Sequence, residues 1–325
     1  MKKRVGVLIA TVVSLVLFSP QSLRAQAYPT KPIEIIVPWG PGTSVDIVAR
    51  MVADLSKKYL SQPMIVTNKP GATGTVGAAD VIASPPEGYK LYTNGHLYFA
   101  NTINTQKLPF DPHDLVPLAS CVDLRQGMAV NADSPFKSFG DLLAYAKKNP
   151  GQLKWGHGGR GIAYHLTPLL IFKREGVSTI DVPYKGGTSE LIPALLGGHV
   201  DMGSTIYLTM VEQARAGKVR FLMWYSDRRY KDTPNVPAIT ELGYPDAFLP
   251  AYQTFFIHKN TPEHIKKILM DAFKKIYDDP AFQTAIAKIN MDPRWEGPDS
   301  INESIKKSVA IVVPILKELG LYVGN

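Results

Sequence analysis

The stretch that most constrains this chain runs from Ile33 to Leu60, IEIIVPWGPGTSVDIVARMVADLSKKYL. Ile33 to Val37 is nearly all β-branched, the composition of a strand buried on both faces. Pro38 ends it, having no N–H for a ladder. Gly40 and Gly42 permit turn angles that side chains resist, and Thr43 or Ser44 is placed to cap a helix. Ile47, Val48, Met51, Val52 and Leu55 then recur at helical spacing and give that helix one apolar face. The result is a βα unit whose helix N-terminus points outward beyond the strand end. Amides there have no partner inside the helix, and the helix dipole adds positive charge. Such a place suits a carboxylate or a phosphate. A plain βα turn, with Thr43 and Ser44 serving only as caps, is the competing reading.

The same theme repeats downstream. Met64 to Thr67 reads as a strand, and Asn68-Lys69-Pro70-Gly71-Ala72-Thr73-Gly74-Thr75-Val76-Gly77 leads into a helix near 78–83. This glycine-rich run is neither GxGxxG nor GxxxxGK[ST], so it gives nucleotide binding little support. It is either a connector or a second loop of free amides beside the first. Tyr89 to Asn94 is a strand, and Gly95-His96-Leu97-Tyr98 sits at its end, where open α/β sheets place ligand contacts. From Gly127 onward β-turn-α units recur: strands near 128–130, 154–156, 181–184, 200–204 and 220–225, and helices near 139–148, 162–174, 189–196 and 210–216. Right-handed crossovers then imply a second parallel-sheet domain. A strand at 254–258 and helices from Thr261-Pro262-Glu263 to Tyr277, over 280–289 and over 300–319 need a sheet to cover, and the first domain is the candidate. The predicted fold is α/β: two domains, each a mainly parallel sheet flanked by helices, joined by two crossover segments. Residues 28–126 and 251–325 form one domain and 127–250 the other.

Several function classes are disfavoured. Residues 1–27 read as a signal peptide: Lys2, Lys3 and Arg4, an apolar run from Val5 to Phe18, and Ala25-Gln26-Ala27 as the cleavage site. The chain therefore acts outside the cytoplasm. Roughly 300 residues remain, enough for two cores. With one cysteine, Cys121, stability must come from packing rather than disulfides. Setting aside Lys2, Lys3, Arg4 and Arg24 lowers the formal charge from +8 to +4, with no basic stripe for nucleic acid. No GxSxG elbow is present to support an exported hydrolase built on Ser44 with His157 or His165. The histidines lack metal-ligand spacing. No catalytic residue, metal or cofactor is expected. His157 lies in a strand-end loop and is the better ligand candidate, whereas His165 sits one turn into a helix.

Beyond these units, an ordered set of motifs carries a family resemblance. It comprises Ile35-Ile36-Val37-Pro38-Trp39 with Asp46, Asn68-Lys69-Pro70-Gly71-Ala72 with Gly74 and Gly77, and Leu108-Pro109-Phe110-Asp111-Pro112. Gly159, Gly161 and His165 follow, then Val182-Pro183-Tyr184-Lys185-Gly186, then Pro234-Asn235-Val236-Pro237 with Glu241-Leu242-Gly243. Together these resemble the substrate-binding proteins of tripartite tricarboxylate transporters, the TctC-like or Bug proteins, over essentially the whole chain after residue 27. The resemblance implies a monomeric periplasmic binding protein whose two domains close over one small organic carboxylate. Its partners would be two integral membrane subunits. It places ligand contacts on the loops at Trp39, Gly42, Thr43 and Ser44, and at Thr73 and Gly74. In the other domain the contacts fall on His157, Gly159, Arg160, Tyr164 and Thr205.

Two departures bear on the ligand. Gly159-Arg160-Gly161-Ile162-Ala163-Tyr164 replaces a small hydroxyl-rich run of relatives, and Arg160 offers a bidentate grip on a second carboxylate, unless it is simply a solvated loop arginine. Ser204-Thr205-Ile206 stands where amino-acid-binding relatives carry an aspartate, which turns the reading away from amino acids. With Trp39, Tyr98 and Tyr164 near the cleft, a dicarboxylate or an aromatic acid is favoured, although Trp39 also fits a core role. A ligand-presenting sensor for a signalling receptor is the alternative to transport.

Overall fold

The structure, a computed structural model, describes residues 28–184 and 188–324 and leaves the side chains of Tyr98, Phe99 and Thr188 outside that description. The signal peptide expected at 1–27 lies outside the described residues. The chain begins with β1 (Ile33–Val37), α1 (Ser44–Ser56), β2 (Met64–Asn68), α2 (Thr75–Ile82), β3 (Lys90–Gly95), α3 (Tyr98–Thr105) and β4 (Leu115–Asp123). It continues through β5 (Gln126–Asn131), α4 (Phe139–Lys148), β6 (Lys154–His157), α5 (Ala163–Arg174), β7 (Ile180–Pro183), α6 (Thr188–Leu196), β8 (Met202–Ile206), α7 (Tyr207–Arg215) and β9 (Val219–Trp224). It closes with β10 (Tyr252–His258), α8 (Glu263–Asp278), α9 (Pro280–Lys288), β11 (Asp292–Glu296) and α10 (Pro298–Glu318).

Two sheets result. The first has the order β11-β4-β10-β3-β1-β2 and the second β7-β6-β8-β5-β9. β1 runs parallel to β2 and β3, while β10 is antiparallel to β3 and β4, and β11 to β4. In the second sheet β6 is parallel to β7 and β8, and β5 is antiparallel to β8 and β9. Each sheet is thus parallel where the chain winds in βα units and antiparallel where it arrives from or leaves for the other lobe. The sheets are mixed, rather than mainly parallel as the βα pattern suggested.

The first core forms around β1, whose Ile33, Ile35 and Val37 are fully buried, and the apolar stripe of α1, Val45, Val48, Ala49 and Val52. Burying each such Val or Ile contributes roughly 1.5–3 kcal/mol. The late helices do cover this lobe: Leu269 and Phe273 of α8, Phe282 of α9 and Val312 of α10 join the same core. β4 contains Pro117, which has no N–H for a ladder. A register shift in β10 between Phe255 and Phe256, opposite Ala119 and Pro117, accommodates it.

The two segments that cross between lobes run side by side. Leu124 N–H donates to the Ala251 carbonyl at 2.7 Å and Tyr225 N–H to the Gln126 carbonyl at 2.8 Å. Arg125, only 4% exposed, sits between them. Its guanidinium lies 3.9 Å from the centre of the Tyr230 ring and donates to Asp232 and Asp292. The crossing is therefore held by a buried cation with paired acids.

Candidate functional site

A cavity of about 750 Å³ opens between the lobes beside these crossings. The first lobe lines it with Trp39, Gly42, Thr43, Ser44, Thr73, Asn94, Gly95, Leu97, Asn101 and Thr102. The second lobe contributes Ile162, Ala163, Tyr164, Ile206, Leu208 and Thr209, and the crossings contribute Leu124, Gln126 and Ala251. None of the described lining side chains is acidic or basic.

What gathers here instead is helix N-termini. α1, α3, α5 and α7 all begin at this cavity, and none has a side-chain cap hydrogen bond. α3, α5 and α7 also have no acid in their first turn. Apart from α2, the helices elsewhere differ: α4, α6, α8 and α10 carry Asp141, Glu190, Glu263 and Asp299 in the first turn, and α9 is capped by Asp279. Helix starts ordinarily recruit acids because the dipole and the orphan amides favour negative charge. Around this cavity that negative charge is withheld, so the amides are left for a ligand.

α1 carries Asp46 in its first turn, but that carboxylate is turned into the protein. It accepts from Gly42 N–H at 2.9 Å, from Arg50 at 2.9 and 3.0 Å, and from Asn68 Nδ2 at 2.8 Å. Burial would raise its pKa, yet these bonds together hold it below the usual carboxylate range. Asp46 thus fixes the turn, with Gly42 at φ +82, where a side chain would be strained. Asn68 completes the brace by donating to the Trp39 carbonyl.

The Trp39 ring is also fixed. Its Nε1–H donates to Asn94 Oδ1 at 3.1 Å, Asn94 Nδ2 donates to the Tyr92 hydroxyl at 2.8 Å, and Tyr92 donates to the Gly74 carbonyl at 3.1 Å. Thr73 reaches the cavity from a left-handed backbone, φ +53, that costs a non-glycine residue about 1 kcal/mol.

Six of the expected contacts therefore line the cavity: Trp39, Gly42, Thr43, Ser44, Thr73 and Tyr164. Tyr98 begins α3, but its side chain lies outside the described residues. Five others do not line it, each for a visible reason. Gly74 is packed behind Thr73, where an added Cβ would stand 2.8 Å from the Tyr92 hydroxyl. Thr205, in β8, is fully buried, its hydroxyl 3.3 Å from Thr209 Oγ1, and it is Thr209, in the first turn of α7, that lines the cavity. His157, Gly159 and Arg160 belong to a cluster around Asp181. His157 is fully buried with Nε2 on Asp181 and Nδ1 against Gly159, and Arg160 Nε donates to Asp181 at 2.9 Å. The bidentate grip expected of Arg160 is therefore corrected: its charge is engaged by a carboxylate of its own lobe.

His157, His165 and Asp181 bring their ligand atoms within 4.8 Å of one another, which invites a metal reading. The hydrogen bonds argue otherwise. His165 Nδ1 accepts from Gly161 N–H at 3.1 Å, so its proton sits on Nε2, the atom facing Asp181 at 3.6 Å. A protonated nitrogen has no lone pair for a metal, and metal-bound histidines usually donate from their other nitrogen instead. Burial would raise the Asp181 pKa, but the two histidines outweigh it and hold that carboxyl well below its usual range, while burial lowers His165. The cluster is a brace for the loop that starts α5.

The pattern of the sequence flagged the strand end after β3, and Gly95 and Leu97 do line the cavity. His96 turns away, accepting from Tyr252 N–H at 3.2 Å with Ser304 at its other nitrogen. Asn94, Asn101, Thr102, Gln126 and Thr209 were missed. Thr209 follows the β8 end in the first turn of α7, a strand-to-helix junction of the kind the sequence flags, and so had a signal; Gln126 had none. Two further cavities, of about 530 and 640 Å³, are lined by charged groups, several of which already pair, such as Arg294 with Asp227 and Arg125 with Asp292.

Comparison with known proteins bears on this geometry. A family model described as the tripartite tricarboxylate transporter family receptor, TctC, matches residues 48–321. The UPF0065 protein in the gbd 5′ region of Cupriavidus necator is 34% identical, the match covering 98% of this chain and 96% of that one. A TctC solute-binding protein from Polaromonas superposes with a TM-score of 0.78 at 28% identity, covering 90% of this chain and 99% of its own. MatC from Rhodopseudomonas palustris, with bound malate, gives 0.69 at 25% identity, covering 88% and 100%.

Proposed function

This chain belongs to the tripartite tricarboxylate transporter receptor family, and from that premise we propose that it captures a small organic carboxylate in the cavity between its lobes. The lobes, residues 28–126 with 251–325 and residues 127–250, act as two domains that close over the ligand. Binding to both faces at once shifts the population toward the closed form. The protein works in the periplasm as a monomer and hands its ligand to two integral membrane subunits. No described helix is long and apolar enough to cross a membrane itself.

One observation carries this reading: the four uncapped helix starts that meet at the cavity while acids begin most of the helices elsewhere. Amides and the hydroxyls of Thr43, Ser44, Thr73 and Thr209 replace the water around a carboxylate. A hydrogen bond to a charged group contributes roughly 1.5–3 kcal/mol. The malate bound by MatC supports the ligand class. Trp39 and Tyr164 in the wall support a flat or elongated apolar body and so favour an aromatic acid, whereas a dicarboxylate loses the support of Arg160, which is bonded to Asp181.

The test is a thermal-shift screen of mono-, di- and tricarboxylates, aliphatic and aromatic, each beside its primary amide. A ligand at about 100 times its Kd adds about 2.7 kcal/mol by mass action, a shift of several degrees. Carboxylates should raise Tm and their amides should not. Equal shifts for an acid and its amide would remove the anion from the account.

A further inference from the structure

The crossing between the lobes has two faces. Leu124 and Gln126 line the ligand cavity, whereas Arg125, between them, lines a groove of about 640 Å³. Successive residues of an extended chain point to opposite sides, so this groove lies behind the crossing. Tyr207 likewise lines the groove, while its neighbours Ile206 and Leu208 line the cavity. The walls of the groove belong to different lobes. Arg215, Arg228, Arg229 and Lys231 come from the second lobe, and Ala287, Met291 and Pro293 from the first.

Part of the cationic wall is uncompensated. Asp232 and Asp292, the acids of the groove, are both engaged by Arg125, whose guanidinium also stacks on the Tyr207 and Tyr230 rings at 4.6 and 3.9 Å. Arg229 pairs with Glu241 at 2.8 Å. Arg215 donates to the neutral Asn290 Oδ1 at 2.5 Å and reaches Glu212 only at 3.4 Å. Arg228 and Lys231 are exposed, and neither side chain has a hydrogen bond among the described residues. Arg228 acts on Asp227 and Asp292 only through space, and those carboxylates already pair with Arg294 and Arg125. Like charges gathered in a concave wall focus their field and attract an anion. The facing wall is apolar at Ala287, Met291 and Pro293, which a small inorganic anion would leave uncovered. A peptide segment with carboxylates along one side and small apolar side chains along the other matches both walls.

We propose that this groove is a docking site for an acidic segment of a protein partner, and that the segment favours the lobes as they stand here over the ligand-closed form. A rotation about the crossing that narrows the cavity in front widens the groove behind. Closure therefore loosens an occupant that fits the present groove. Linkage makes the effect reciprocal, so docking weakens ligand binding, as a partner that receives the ligand requires. The docking does not depend on the carboxylate reading above; its coupling to the cavity does.

Fluorescence anisotropy tests both parts, using a short labelled peptide that alternates glutamate with alanine and its glutamine counterpart. The acidic peptide should bind roughly tenfold tighter than the neutral one, the yield of two or three exposed ion pairs. That advantage should shrink as salt rises, because exposed charges are screened beyond about 10 Å at about 0.1 M. Arg228→Glu with Lys231→Glu should abolish it. Lys148→Glu with Lys306→Glu changes the net charge equally at exposed positions outside the groove and should leave most of it. A saturating carboxylate, chosen because it raises Tm, should weaken the acidic peptide several-fold. Equal binding of the two peptides, or equal losses in the two double variants, would overturn the docking site. Peptide affinity unmoved by the carboxylate would overturn the coupling. If no carboxylate raises Tm, the carboxylate reading fails and the coupling with it, while the two peptides still decide the docking site.

Discussion

Replacing Ile162 with aspartate tests the helix-terminus argument by giving α5 the acid that it lacks. Ile162 is the N-cap of α5, at φ −90 and ψ 162, an extended backbone suited to a capping side chain. Isoleucine is among the poorest N-caps and aspartate among the best, so Ile162→Asp gains about 1 kcal/mol in capping. The dipole adds about 0.3–1 kcal/mol, and the lost apolar contact offsets part of this. Ligand binding should move the other way. The new carboxylate takes the amides of α5 and repels the ligand's anion. Two like charges about 6 Å apart at an effective dielectric of about 20 cost about 3 kcal/mol, roughly a hundredfold in affinity. Ile162→Ser is the control: it caps and loses the same methyl groups without adding charge. Urea unfolding should find the aspartate variant at least as stable as the serine variant. Calorimetry with a carboxylate that shifts the wild-type Tm should find its binding about a hundredfold weaker. Binding within a few-fold of the serine variant would refute the claim that bare helix termini hold the anion.

Two further outcomes follow from particular contacts. Arg160→Ala should leave the ratio of dicarboxylate to monocarboxylate affinity unchanged by calorimetry, because the guanidinium is bonded to Asp181 and lies off the cavity wall; a selective loss of dicarboxylate binding would return Arg160 to the site. His96→Asn should flatten the acid side of the stability profile. Burial lowers the His96 pKa from 6.5 to about 4, so the unfolded chain takes up this proton first as pH falls. The stabilisation is complete above about pH 6.5 and is lost toward pH 4, amounting to about 3 kcal/mol. Asp123, raised by burial to about 6, works in the opposite sense, and comparing wild type with the variant cancels its share. Urea unfolding at pH 7 and pH 4 should show the wild type losing about 3 kcal/mol more than the variant, and equal losses would contradict a neutral, buried His96.

What could be read in advance, and what could not, divides along range. The β1–α1 junction was legible because β-branched residues, a proline stop and a glycine turn act within a few positions. The late helices were assigned to the first lobe from the need of an apolar stripe for a sheet. β4 was missed because Pro117 interrupts it, and only β10, more than 100 residues later, supplies the bulged partner that tolerates the proline. α3 was missed because Tyr98–Thr105 is rich in Asn and Thr, weak helix formers, and packing overrides that preference. In the site, the mainchain parts were visible as turns. The side-chain parts were not: whether Arg160 meets a ligand depends on Asp181, and whether Gln126 is satisfied depends on β8 and the crossing. No local pattern encodes either.

The most direct measurement is an amide NMR titration of the wild type with a carboxylate that raises Tm, repeated with its primary amide. The account predicts that the N–H resonances of Ser44, Val45, Ala163, Tyr164 and Leu208 move downfield with the acid and stay in place with the amide. Shifts confined to the cavities at Arg294 or Arg228, with those five resonances still, would contradict it.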